Sequence, residues 1–186
     1  MPEILAALSP LANADVAPRT RSWLREAPGG RLVVVRGIAA AELGTELGVI
    51  AGRSRRAGDT LAWSLRPGEL MVLNDGVGPA AAGPVEAVRS RYPTGWTDLT
   101  HGVALMRLDG ALAPRILAKL CPLDLARLVD DTALRTSMAQ VIVEIITDDA
   151  SREAWLLVVP RSYAVYFSGV LDDAGTALLQ EAHHSS

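Results

Sequence analysis

An α+β fold of two βαββα units with antiparallel sheets is predicted for this 186-residue chain by three observations. Short β-branched runs alternate with stretches of strong helix formers. Polar turns split longer apolar runs into strand pairs. The order strand, glycine, helix, hairpin, helix occurs in each half, with Gly37 and Gly110 at matching places. Such a pattern puts the helices on one face of each antiparallel sheet.

The elements follow in order. "RLVVVRG" (31–37) is a β-branched run closed by glycine and reads as a strand. "AAAELGTELGV" (39–49) reads as a helix, shortened or frayed by Gly44 and Gly48. "AGRSRRAGD" (51–59) reads as a loop carrying Arg53, Arg55 and Arg56. "DTLAWSLRPGELMVLND" (59–75) is two apolar runs around Arg66-Pro67-Gly68-Glu69, and Pro-Gly marks the turn of a hairpin. "GVGPAAAGP" (76–84) is a loop, and "VEAVRSRY" (85–92) is a helix stopped at Tyr92 by Pro93.

In the second half, "GVALMRLDG" (102–110) is a strand closed by glycine. "ALAPRILAKLC" (111–121) is a helix. "SMAQVIVEIITDDASREAWLLVVP" (137–160) is two strands around Asp148-Asp149-Ala150-Ser151. "RSYAVYFSGVLDDAG" (161–175) is a helix with Ser162 placed to cap its start and Gly175 just past its end. The units, ferredoxin-like in outline, are expected over 1–92 and 93–186, packed as one compact chain with the joint in "RYPTGWT" (91–97). The match between halves is one of pattern, not identity, so duplication and coincidence both stay open.

Composition narrows the function classes. The hydrophobic fraction is 49% but aromatics are only 4%, so the core is built from Ala, Val, Leu and Ile. Net charge is −3 and no basic stripe with interleaved aromatics occurs, so nucleic-acid binding is not expected. One cysteine excludes an internal disulfide framework and a Cys-rich zinc site, and fits a reducing compartment. "MPEILAALSPLANADV" has no positive n-region and does not read as a signal peptide. No apolar run reaches the ~20 residues that span a bilayer; the longest, Val141 to Ile146, is broken by Glu144. A soluble, cytoplasmic protein with no membrane partner is expected. The end, "EAHHSS", reads as a frayed tail, and adjacent His183 and His184 do not share a helix face on which to hold a metal.

No G-x-G-x-x-G, phosphate loop or G-x-S-x-G elbow occurs. His101, with Asp98 three residues earlier, has the makings of a base and its orienter, or is a loop histidine at the start of a strand. Cys121, near Lys119 and Asp124, is the candidate nucleophile. Against that, Pro122 ends the helix at Cys121. Leu112, Ile116, Leu117 and Leu120 form one apolar face that Cys121 extends, with Lys119 on another. A helix C-terminus disfavours a thiolate, so a structural role is expected. No residue is assigned a catalytic, cofactor-binding or metal-binding role.

The segment "DLTHGVALMRLDGALAPRILAKLCPLDL" (98–125) resembles the gamma-subunit family of heterotetrameric sarcosine oxidase. There a Leu-Ser-Gly-Pro opening leads into a helix ending Leu-Ala-Lys-x-Cys-x-Leu-Asp-Leu, matched by Leu117, Ala118, Lys119, Cys121, Leu123, Asp124 and Leu125. Arg161, Ser162, Tyr163, Ala164 and Tyr166 match the family's Arg-Ser-Tyr/Phe-Ala-x-Tyr. "LAWSLRPGELMVL" (61–73) is similar to its Trp-Leu-Gly-Pro-Asp-Glu-Trp strand-turn-strand, and "SPLA" (9–12) to its start. Ala111 stands where the family has proline, Pro114 is extra, Leu65-Arg66 replaces Leu-Gly and Leu70 replaces the second Trp. Because proline suits only a first turn, the helix must start at or just before Pro114, or kink there.

The resemblance implies the fold of the aminomethyltransferase folate-binding domains. It also implies a non-catalytic gamma subunit of a complex that oxidatively demethylates sarcosine or another N-methyl amino acid. FAD, FMN, NAD, zinc and tetrahydrofolate are then expected in the alpha, beta and delta partner subunits, with alpha in direct contact. Trp155, Tyr163, Tyr166 and Phe167 are candidate anchors for that contact or core residues. The competing readings are a free-standing folate-binding or aminomethyltransferase-like protein and a stand-alone scaffolding module.

Overall fold

The computed structural model describes residues 23–27, 30–76, 83–125, 128, 130–147 and 154–184. Ten strands and four helices are described: β1 (Leu24–Glu26), β2 (Arg31–Arg36), α1 (Ile38–Leu47), β3 (Arg53–Ala57), β4 (Thr60–Ser64), β5 (Glu69–Asn74), α2 (Gly83–Arg91), β6 (Trp96–Asp98), β7 (Val103–Asp109), α3 (Ala113–Leu120), β8 (Ala133–Met138), β9 (Val141–Thr147), β10 (Ala154–Pro160) and α4 (Ala164–His184). They form two five-stranded antiparallel sheets, ordered β3-β4-β5-β2-β6 and β1-β7-β10-β9-β8.

The sheets stack face to face. Leu32, Val34, Leu61, Trp63, Met71 and Leu73 of the first meet Leu105, Ala133, Ile146, Leu156 and Val158 of the second. Helices α1 and α2 cover the outer face of the first sheet through Ala40, Leu43, Val85 and Val88. Helices α3 and α4 cover the second through Ile116, Leu117, Phe167 and Leu171. The result is α/β/β/α layering. With both faces covered, central strands lose the in-out alternation of a half-exposed sheet. That is why "LVVV" and "AWLLVV" are continuous apolar runs.

The two halves correspond element by element: β2-α1-β3-β4-β5-α2 and β7-α3-β8-β9-β10-α4. Gly37 (φ 73°) and Gly110 (φ 83°) close the first strand of each in the left-handed region, where a side chain is strained. Each half carries one strand more than the sequence pattern predicts. Residues Arg53–Ala57, read as a loop, are β3, and Ala133–Met138 are β8. Both are polar sheet-edge strands and lack the apolar run that marks their neighbours. They touch: Ser54 N–H donates to the Asp131 carbonyl (2.7 Å), Ala133 N–H to Gly52 (3.0 Å), and Ser54 Oγ to Thr147 (3.1 Å).

The outermost three-residue strands cross between halves. β1 precedes the first half yet pairs with β7 of the second sheet, Leu24 opposite Leu108. β6 pairs with β2 of the first, Val33 opposite Asp98.

Two expectations about α4 are corrected. The helix is entered through a 3-10 turn, Arg161–Tyr163, behind Pro160 and without a side-chain cap, so Ser162 is not its N-cap. It also runs through Gly175 to His184, which places Glu181–His184 in helix and not in a frayed tail. The buried stripe Ala164, Phe167, Leu171, Ala174, Leu178 keeps helical period past the glycine, and packing overrides the stop signal. "SPLA" and Asp148-Asp149-Ala150-Ser151 lie outside the described residues, as does most of the 76–84 loop. No helix among the described residues is long and apolar enough to cross a membrane.

Candidate functional site

Cys121 occupies the C-cap of α3 in an extended conformation (φ −105°, ψ 131°), and its N–H donates to the Leu117 carbonyl at 2.7 Å. The helix starts at Ala113 with Pro114 in its first turn. Cys121 is buried among Ile116, Leu117 and Leu125, and Lys119 points elsewhere, bonding Glu181 of α4 at 3.0 Å. A buried thiol at the negative end of a helix is a poor nucleophile. Cys121→Ser is therefore expected to cost about 1 kcal/mol in urea unfolding and to leave the turnover of any assembly containing the chain unchanged.

His101 and Asp98 lie before β7, and both are exposed. Asp98 is spent elsewhere: it accepts the Thr100 N–H at 2.9 Å and faces Arg31 at 3.9 Å. Burial pushes its carboxyl up, and the Thr100 hydrogen bonds and Arg31 outweigh this and hold it below its ordinary range. No hydrogen bond joins it to His101 among the described residues. His183 and His184 are exposed, the latter's Nδ1 lying 2.7 Å from the Gln180 carbonyl. Among the described residues, no group of three or more His, Cys, Asp or Glu could hold a metal. Of the four aromatic candidates, Trp155 and Phe167 are core, while Tyr163 and Tyr166 are about half exposed. Tyr166 donates to the Ala139 carbonyl at 3.2 Å.

An open apolar groove of about 470 Å³, which no sequence motif marks, lies between α1 and the β4–β5 hairpin. Its lining includes Ala40 and Ala41, Gly44 three or four residues on, and Gly48, the residue that ends α1, together with Val49 and Leu70, and Pro67-Gly68 of the hairpin turn lie across from the helix. The Gly37 N–H donates to the Gly68 carbonyl at 2.9 Å and ties the helix start to the hairpin turn. Gly68 (φ 75°) and Gly48 (φ 66°) both need the left-handed region. Ile50, a large apolar side chain 69% exposed, is part of the groove's lining. The signal in the sequence was small residues at helical spacing in "AAAELGTELG", read only as a weak helix.

Glu69 is the groove's one lining carboxylate. It is buried and accepts from Arg66 at 2.9 Å and Arg36 at 3.2 Å. Burial pushes it up, and the hydrogen bonds and charges of Arg66 and Arg36 prevail and hold it low. Arg55 is exposed and lies across Gly48, where an added Cβ would stand 2.5 Å from its Nη1. It pairs with no carboxylate among the described residues. Glu42 and Glu46 leave α1 on its other side, toward Tyr92 and Arg91 of α2. The groove therefore has an apolar floor and a cationic rim.

No family model and no curated protein matches the sequence. The fold is similar to a chain of the heterotetrameric sarcosine oxidase of Corynebacterium sp. U-96, solved in complex with pyrrole 2-carboxylate. The TM-score is 0.72 at 22% identity, over 91% of this chain and 94% of that one. Each chain covers more than nine tenths of the other, so the likeness extends through both sheets and their helices.

Proposed function

We propose that this chain is the accessory gamma subunit of a heterotetrameric sarcosine oxidase-type complex, which oxidatively demethylates sarcosine or another N-methyl amino acid in the cytoplasm. The observation that carries the reading is the shared fold over nearly the whole of both chains. The ending Leu117-Ala118-Lys119-x-Cys121-x-Leu123-Asp124-Leu125 supports it independently.

In this reading the chain's role is assembly. FAD, FMN, NAD, zinc and tetrahydrofolate are held by the alpha, beta and delta subunits, with alpha the direct neighbour. The described residues of this chain do not fit zinc, having no cluster of its ligand types. They also lack a glycine-rich phosphate loop opening a helix, the usual seat of a dinucleotide. No step of the oxidation is assigned to its side chains. Cys121, the one thiol, is walled into the α3–α4 core.

The purified chain alone is expected to be colourless, to release no peroxide from sarcosine, and to give no saturable heat with tetrahydrofolate in calorimetry. Saturable micromolar folate binding would favour a free-standing folate protein instead. A flavin spectrum carried by the chain itself would overturn the subunit reading.

A further inference from the structure

We propose that the groove between α1 and the β4–β5 hairpin seats a segment of a partner subunit presenting an aliphatic side chain flanked by a carboxylate. The inference rests on the subunit reading above and adds the surface and the chemistry of the contact.

Shape gives the first half. Ala40, Ala41, Gly44 and Gly48 leave a depression that no side chain of the described residues fills. A protein interior closes such space at near-crystalline density. Ile50 stands in its lining and holds apolar area in water at 69% exposure. Exposed apolar surface around a concavity, rimmed by polar groups, is characteristic of a protein contact. An aliphatic side chain entering the groove would bury Ile50 together with the floor.

Charge chooses the occupant. Three guanidiniums touch residues of the groove's lining, those of Arg36 and Arg66 on Glu69 and that of Arg55 against Gly48, and Glu69 is the single lining carboxylate. The patch is positive on a chain whose net charge is −3. Glu69 is neutralised from within, so a second carboxylate meets no repulsion there. Arg55 has no acidic partner among the described residues and is held over the floor at Gly48. An incoming Asp or Glu would pair with it beside the apolar contact, and such pairing sets orientation and on-rate more than affinity. A basic or purely polar segment would be excluded by the same rim.

The test uses the complete chain co-expressed with its flavoprotein partners, with affinity of the purified chain for the remaining complex read by biolayer interferometry. Ala41→Phe fills the groove from an exposed helix position, and Arg55→Glu reverses the free rim charge. Both are expected to keep the wild-type melting temperature within a few degrees and to weaken assembly about tenfold or more. Raising NaCl from about 0.1 M to about 0.5 M should weaken the wild type more than Arg55→Glu, because screening acts on the pair already lost. Wild-type affinity in both variants would overturn the groove assignment while leaving the subunit reading intact. A wild-type chain that never joins the complex would overturn both. A chain that dimerises alone, is made monomeric by Ala41→Phe and still binds its partners normally would show that a second copy takes the groove, and the proposal would fall.

Discussion

Trp23→Ala is expected to lower the stability of the chain by about 3–5 kcal/mol, the cost of emptying a large buried aromatic site. Trp23 is 5% exposed, and its ring lies on α4 at Gly175. A Cβ added at Gly175 would stand 2.3 Å from two ring carbons, so the glycine and the indole are one packing device. The Trp23 carbonyl also accepts the Asp109 N–H at 3.0 Å, next to the β1–β7 pairing. In a domain of this size the melting temperature should fall by about 10 °C or more. The partner substitution gives a sharper result. Gly175→Ala in the wild type overpacks the site and destabilises it, by about 1–3 kcal/mol. In the Trp23→Ala background the clash is gone and the same change gains about 1 kcal/mol of helix propensity. Additive effects in this cycle, read by urea unfolding, would refute the contact.

Asp75→Ala is expected to cost about 3 kcal/mol, because it removes the carboxylate that both Arg56 and Arg107 bond at the meeting of the two sheets. Arg56 of β3 grips Asp75 with two hydrogen bonds, 3.1 and 3.0 Å, and Arg107 of β7 reaches it from the other sheet. Arg107 is only 12% exposed at its side chain. Burial pushes the Asp75 carboxyl up, but the bonds and charges of Arg56 and Arg107 prevail and hold it below the ordinary range. The sign follows: a carboxyl depressed in the folded state contributes stability that is complete above its unfolded value, near pH 4, and is lost as pH falls through the lower folded value. Asp75→Asn should therefore be less stable than the wild type at pH 7 and show a shallower loss below about pH 4. Equal acid sensitivity in the two proteins would mean that the triad does not couple the sheets.

Much of the fold was legible because its signals are local. Pro67-Gly68 marked a hairpin, Gly37 and Gly110 marked strand ends, and Pro122 fixed the end of α3 at Cys121. What was not legible depends on partners distant in sequence. "RSRRA" carries no strand signal of its own; it becomes β3 by pairing with β4, while Arg53 and Ser54 bond across to the second half. Gly175 reads as a stop until Trp23, more than 150 residues earlier, is seen lying on it. β1 and β6 are three residues each, too short for periodicity to register. The groove was invisible for a related reason. Alanine and glycine at helical spacing look like a weak helix, and only the hairpin wall at Pro67-Gly68 turns that face into a concavity.

Size-exclusion chromatography of the chain co-expressed with its genomic neighbours, with protein and flavin absorbance recorded together, tests the subunit reading most directly. The chain is expected to elute with a larger flavoprotein in one yellow peak, in equimolar amount, and that peak to oxidise sarcosine or a related N-methyl amino acid. A complete, active flavoprotein peak that excludes the chain, while the chain elutes alone, would contradict it.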